Sequence, residues 1–299
     1  MLSPQREHSS GRHRSSGRRA PLALVGGGLL LAILITAAAI GLAGSRDPSK
    51  PPSATPQPSP HPINVSAASS WAAVNLGSSA RILADPAGTT SLLDAGVPAD
   101  VVGPISALAY AKPPASGCDG FAFVLDTPEL NTAAARDTLL AMCLSSSLPV
   151  ALFGTGTGGV AIREVYAGEL TALRRQLATD ASARRIAGDA LLVNPSLSFA
   201  SQPRSVVARG ALDLRAATVL AALATHTPVT VSQVTESSAE VAADRPARTI
   251  QLTVRDADAL TSTLAGLSAP YQPEAIVGSG GAEVQLAWPV ELAPVIPIS

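Results

Sequence analysis

Aromatic side chains are scarce in this chain of 299 residues, at 3%. Alanine is abundant instead. Lysine occurs only at Lys50 and Lys112, and His226 is the only histidine after residue 61. The patterns H-x-x-x-H, G-x-S-x-G and S-x-x-K with supporting partners are missing, so metalloprotease and serine-hydrolase readings lack their residues. No metal, no cofactor and no catalytic residue is expected. Basic excess is also lacking after the first sixty residues. From residue 63 onward 14 basic side chains face 20 acidic ones, a net of −6. An acidic surface argues against nucleic acid and anionic lipid as ligands.

The strongest absence is of charge between residues 22 and 43. About 20 consecutive apolar residues cross a bilayer core as a helix, and a helix satisfies its own backbone there. Arg6, Arg12, Arg14, Arg18 and Arg19 precede the run against a single acid, Glu7. Lysine and arginine excess marks the cytoplasmic flank. The run is expected to be a signal-anchor in the plasma membrane, single-pass, with the N-terminus cytoplasmic and the C-terminal domain extracytoplasmic. A cleaved signal peptide is the competing reading. Its apolar core is shorter, about 7–15 residues, but Ala37-Ala38-Ala39 and the small residues of Leu42-Ala43-Gly44 leave cleavage open.

Residues 1–20 are Ser, Arg, Gly and His with almost no apolar content, and are expected to be a disordered basic cytoplasmic tail. Residues 21–44 hold the span. Residues 45–62 contain seven prolines and are expected to be an extended spacer of roughly 3.1 Å per residue. Two subdomains are expected beyond it, α/β over 63–165 and α+β over 166–299. Whether they are continuous is not legible in the sequence.

Cys118 and Cys143 are the only cysteines. Outside the cytoplasm such a pair is oxidised. The apolar run 120–125 predicts a buried strand. Asp126-Thr127-Pro128-Glu129 predicts a helix start, with a capping side chain, proline in the first turn and an acid at the positive end of the dipole. A helix over about 130–144 would return antiparallel and bring Cys143 back beside Cys118. Closing that loop stabilises by about 3 kcal/mol in the chain-entropy picture.

Further strands are predicted at 81–84, 149–153, 160–165, 228–234, 249–254, 274–277 and 283–288. Helices are predicted at 91–95, 168–193, 201–208, 214–225 and 256–267. Leu170, Leu173 and Leu177 share one face of the longest helix, and Asp180–Arg184 is an i,i+4 pair. Strands alternating with helices predict a parallel or mixed sheet with helices packed on it. The expected fold class is α/β: one transmembrane helix, then a three-layer extracytoplasmic domain with a C-terminal β-α-β-hairpin unit. No long internal repeat is visible.

Candidate chemistry is sparse. Gly154-Thr-Gly-Thr-Gly-Gly159 follows a strand but lacks both the G-x-G-x-x-G spacing and the Lys-Ser/Thr of a phosphate loop, so a plain turn is the stronger reading. Asp256 and Asp258 fit a helix cap better than a metal pair. Asn194, Arg204, Asp213 and Arg215 are a candidate polar binding cluster if folding gathers them. Structural capping and ion pairing are the competing account.

Three stretches carry a resemblance. The first is Trp71-Ala-Ala-Val-Asn-Leu, Arg81-Ile-Leu-Ala-Asp85 and Leu92-Leu-Asp-Ala-Gly96-Val-Pro. The second is Cys118-Asp-Gly-Phe, Asp126-Thr-Pro and Pro149-Val-Ala-Leu-Phe-Gly154. These are similar to the extracytoplasmic soluble domain of actinobacterial polytopic glycosyltransferases. A third, Leu191-Leu-Val-Asn194-Pro195 through Gly210-Ala-Leu-Asp213-Leu-Arg215 to His226-Thr-Pro228-Val, resembles uncharacterised actinobacterial membrane-anchored proteins. The resemblance spans about residues 70–233. It implies an α/β extracytoplasmic domain that binds envelope glycan, lipid-linked sugar or a membrane protein handling them. The transferases carry catalysis on a many-helix membrane domain that this chain lacks, so their activity is not implied. The expectation is a non-enzymatic, membrane-anchored binding or accessory protein of the cell envelope. The alternative is a sugar-handling enzyme or an obligate partner of an envelope glycosyltransferase.

Overall fold

Two strand-to-helix corners organise the first half of the folded region. At the first, the Asp85 carboxylate accepts the Gly88 N–H at 2.7 Å and Pro86 opens the helix. At the second, Thr127 Oγ1 accepts the Leu130 N–H at 3.0 Å and Pro128 opens the helix. Each cap satisfies an orphan N–H of the first turn, and proline sits where its missing donor costs nothing. The Thr127 hydroxyl also donates to Asp85, tying the two corners together.

The computed structural model describes residues 63–110, 118, 120–278 and 283–292. The expected tail, span and spacer over 1–62 lie outside these residues. Among the described residues no helix is long and apolar enough to cross a membrane. All of them belong to one compact unit.

After α1 (Ile63–Asn75) come β1 (Ile82–Ala84), α2 (Pro86–Asp94), β2 (Val102–Pro104), a 3-10 segment (Ile105–Tyr110) and β3 (Phe123–Asp126). Then follow α3 (Pro128–Ala134), α4 (Thr138–Ser145), β4 (Ser147–Phe153) and β5 (Val160–Val165). The strands form one mixed sheet in the order β2-β1-β3-β5-β4. β1 runs parallel to β2 and β3, while β5 runs antiparallel to β3 and β4. Its strands bury side chains on both faces. Ile82, Ala84, Phe123 and Leu125 point one way, into a cluster with Val65, Ala68 and Leu92. Leu83 and Val124 point the other way, toward Leu108, Leu130 and Leu140. Helices cover both faces, as the unbroken apolar character of these strands requires.

One expected helix is in fact two. The Ala-rich run over 130–144 breaks at residues 135–137, where Asp137 caps α4 by accepting the N–H groups of Leu139 and Leu140 at 2.9 and 3.1 Å. The turn re-aims α4, and Cys143 in its last turn is disulfide-bonded to Cys118, with the Cα atoms 4.7 Å apart. Both cysteines are fully buried. The pairing follows the predicted return of the chain to the start of β3.

The second half begins with α5 (Leu170–Leu192), β6 (Leu197–Phe199), α6 (Ser201–Ala208), α7 (Leu214–Ala224) and β7 (Val229–Thr235). It continues with α8 (Ser238–Ala242), β8 (Thr249–Val254), α9 (Ala257–Ala265), β9 (Ala275–Gly278) and β10 (Glu283–Ala287). The sequence leaves open whether the later strands join the first sheet; they form their own mixed sheet, β6-β7-β8-β10-β9. Here only one face is dry. Val229, Val231, Ile250, Leu252, Val254, Val284 and Leu286 meet Val219, Leu220, Leu223, Leu260 and Leu264. Thr230, Ser232, Gln285 and Glu283 face out. That is the alternation expected of a largely antiparallel sheet with helices on one side. The unit β8-α9-β9-β10 matches the predicted β-α-β-hairpin.

Candidate functional site

The two halves meet along a line of charge. An isolated parallel bridge joins Leu212 to Ala247. It is secured by Asp213 N–H to Ala247 O at 2.9 Å and Ala247 N–H to Ala211 O at 2.7 Å. This sets the start of α7 beside the loop after α8. Asp213 caps α7, its Oδ1 accepting the Arg215 N–H at 2.8 Å. The Arg215 side chain then folds back on that cap. Its Nε donates to Oδ1 at 3.0 Å and its Nη2 to Oδ2 at 2.8 Å, a bidentate fork. The other donors reach the C-terminal segment, with Nη1 to Glu291 Oε2 and Nη2 to Pro289 O, both at 3.0 Å. Arg215 is 2% exposed.

Around this pair lies a cleft of about 300 Å³. Its walls are the first half of α5, the start of α7, the turn at 243–246 and Glu291-Leu292. Four arginines (174, 184, 215 and 245) face four acids (Asp180, Asp213, Asp244 and Glu291) across it. Arg184 pairs with Asp180 and donates from Nε to Gly210 O at 3.0 Å. Arg245 donates from Nε and Nη2 to Pro149 O at 3.1 and 2.9 Å, crossing to the first sheet. Asp244 is a non-glycine residue with φ of 58°, the left-handed geometry that Asp tolerates better than most residues. It turns the chain out of α8 so that Arg245 points inward.

Glu164 sits at the same junction. Its Oε2 accepts the Leu292 N–H at 2.8 Å, holding the C-terminal segment against β5. Burial pushes its carboxyl up to about 7, and the nearby Glu291 charge adds to the rise. The Leu292 N–H, Arg245 and Arg215 act in the opposite sense. Burial pulls the Arg215 guanidinium down, but the hydrogen bonds and charge of Asp213, then Glu291 and Glu164, outweigh it and leave it raised. Burial lowers Arg184 and Arg245, only partly countered by Asp213 and Asp244 for the first and by Glu164 and Asp244 for the second.

A second polar knot lies alongside. Glu240 Oε1 accepts the Trp71 Nε1–H at 3.2 Å and an Arg248 Nη2–H at 3.1 Å. Arg248 also reaches Asn75 and donates to Trp288 O at 2.7 Å. Trp71 and Asn75 belong to α1, so this knot also spans the halves.

Of the four residues in the candidate cluster, the structure brings Asp213 and Arg215 together. Asn194 lies beyond the far end of α5, about 15 Å along the helix from Arg184, where its Oδ1 accepts the Ser196 N–H at 2.9 Å. Arg204 is exposed on α6. Neither lines the cleft. Sequence reasoning missed Glu164, Arg245 and Glu291. The one available signal for Glu164 was a charged pair, Arg163-Glu164, inside an otherwise apolar strand pattern.

The remaining candidates have structural uses. The glycine run 154–159 is the turn of the antiparallel β4-β5 hairpin, with no helix N-terminus after it. Gly154 has φ of +73°, and the Asn64 amide donates to Gly158 O at 2.8 Å. Asp256 caps α9 by accepting the N–H groups of Asp258 and Ala259 at 2.9 and 3.1 Å. His226 is exposed just past α7. Among the described residues no group of three or more His, Cys, Asp or Glu is placed to hold a metal ion. Compared with family models, with curated proteins and with solved structures, the chain matches none.

Proposed function

We propose that the chain is a membrane-anchored extracytoplasmic binding or accessory protein of the cell envelope, acting by recognition rather than catalysis. The observation that carries this reading is the cleft itself, where four guanidinium and four carboxylate groups balance and the deepest of them are locked to one another. Such a surface repels neither sign strongly. It offers hydrogen-bond donors and acceptors to a neutral, hydroxyl-rich ligand such as an envelope glycan, or to a membrane protein that handles one. The buried disulfide fits an oxidising compartment. The charge-free run over 22–43, with its arginine flank, supplies the anchor.

One observation favours the alternative, a sugar-handling enzyme or its obligate partner. Glu164, raised to about 7 and close to Glu291, holds its proton near neutrality as a general acid does. The test uses the full chain, solubilised and immobilised, presented with neutral envelope glycans and with lipid-linked sugars. Retention of a glycan that Arg174→Glu abolishes, with no turnover, supports the binding reading. Turnover of a lipid-linked sugar that Glu164→Gln abolishes establishes the enzyme instead. Retention unaffected by Arg174→Glu removes the cleft from the account.

A further inference from the structure

Helix α5 buries one face and leaves the opposite one bare. Leu173, Gly188 and Leu191 point inward. On the outer side Ser182 is exposed, and so are Ala178 and Ile186 four residues away, Arg175 and Asp189 seven away, and Thr171 and Val193 eleven away. At 100° per residue all seven lie within about 40° of the Ser182 direction. The spacing is 4-3-4-4-3-4, a palindrome about Ser182. Its mean period, near 3.67, matches an almost straight helix rather than a left-handed coil. Two of these residues are large and apolar yet strongly exposed, Ile186 at 69% and Val193 at 82%.

We propose that this face pairs two copies of the chain, α5 against α5, antiparallel about a two-fold axis through Ser182. The charges argue for that occupant. Antiparallel pairing centred on Ser182 sets Arg175 against the second copy's Asp189, and Asp189 against its Arg175. It also sets Ile186 over Ala178 and Val193 over Thr171, large on small. On the axis itself Ser182 meets its own copy, and a hydroxyl both donates and accepts, so the pair can bond to itself. An isologous interface must be self-complementary in this way. Neither Arg175 nor Asp189 has an ion-pair partner among the described residues. Helices packed about 8–10 Å apart bring facing Cα atoms to roughly 3.5–5.5 Å, which a side chain as small as Ser182 permits. A contact along one helix of this length falls in the small, weak class of interfaces, below about 1,200 Å², so the association is reversible. The inference does not depend on the ligand-binding reading above.

The test is site-specific crosslinking of the full chain in detergent. Both native cysteines are already paired, so Ser182→Cys introduces one thiol, nearly isosteric with the hydroxyl it replaces and placed on the axis within disulfide reach of its copy. Under mild oxidation it should give a covalent dimer, while Ala265→Cys, exposed on α9, should not. Adding Arg175→Glu or Asp189→Arg to the Ser182→Cys chain turns both cross-axis pairs repulsive and should cut dimer yield by up to about tenfold. Combining the two reverses both charges and should restore it. Equal dimer yield from the two cysteine positions overturns the proposal. So does indifference to the single charge reversals, or failure of the double reversal to recover.

Discussion

Replacing Arg215 by Met removes the linchpin of the charged junction while keeping most of the aliphatic stem. Four side-chain hydrogen bonds are lost, two to Asp213, one to Glu291 and one to Pro289 O. Glu291, at 40% side-chain exposure, can turn to water. Asp213, at 10%, cannot, and keeps only the backbone N–H of its own cap. Breaking a buried pair from one side costs about 3–5 kcal/mol, and with Glu291 able to escape the lower end applies, about 3 kcal/mol. For a domain of this size a urea m-value near 3 kcal/mol/M is expected, so the midpoint should fall by about 1 M. Trp71 and Trp288 are buried, one in each half, so tryptophan fluorescence monitors both. Adding Asp213→Asn should recover at least half of the loss, because the stranded charge disappears while Asn still caps the helix. If Arg215→Met costs less than about 1 kcal/mol, or if Asp213→Asn recovers nothing in that background, the charges are not acting as a buried pair.

Glu164 has a folded pKa near 7 against an ordinary 4.5. Between those values the native chain holds a proton that the unfolded chain has released, so this group's contribution falls as pH rises through the window, by up to ~3 kcal/mol. Glu164→Gln should abolish that part of the decline in urea midpoints from pH 4 to 8, making the variant the more stable chain at pH 8. Equal pH profiles for the two chains would refute the assignment. Gly188→Ala should destabilise by about 2–3 kcal/mol, since the new Cβ would lie 2.4 Å from the Val207 carbonyl oxygen of α6. A thermal melt unchanged within a degree would mean the α5-α6 contact yields without cost. Replacing Cys118 and Cys143 by Ser opens a loop with a sequence separation of 25, for an expected loss of about 3 kcal/mol, read as a lower urea midpoint that reducing agent does not lower further.

Local chemistry was legible wherever a short stretch fixes its own geometry. The caps at Thr127, Asp213 and Asp256 stand where the sequence places them. The strict alternation over 249–254 gives a strand with those bounds. The disulfide followed from a strand, a return helix and two cysteines. The break before Asp137 was hidden because alanine and leucine fill both helices, and Asp137 looks like any polar residue on an exposed face. The candidate site was half legible. Asp213 and Arg215 are two residues apart and meet through local cap geometry. Glu164 and Glu291 lie 127 positions apart, and each looks like a solvated surface charge until the chain crossing brings them together.

Whether the later strands join the first sheet was left open by the sequence, and the likeness between the two sheets did not show in it at all. The segments β3-α3-α4-β4-β5 and β8-α9-β9-β10 share one topology: a strand, a helical return, a second strand parallel to the first, and a hairpin whose last strand inserts between them. A helical crossover leaves a gap one strand wide, and the hairpin fills it without exposing an inner edge. Yet the two copies bury different surfaces. The first is apolar on both faces and the second on one, so their hydrophobic patterns do not superpose and no repeat shows in the sequence. Each sheet has a core of its own. The first sheet's core also takes in Leu173, Ala239 and Leu292 from the second half, and polar bonds cross beside it: Trp71 to Glu240, Arg248 to Asn75, Arg245 to Pro149 and Leu292 to Glu164. Such directional bonds set orientation more than they add cohesion. They fix how the second half seats on the first, and the cleft opens beside them between α5, the start of α7, the turn at 243–246 and Glu291-Leu292, all of the second half.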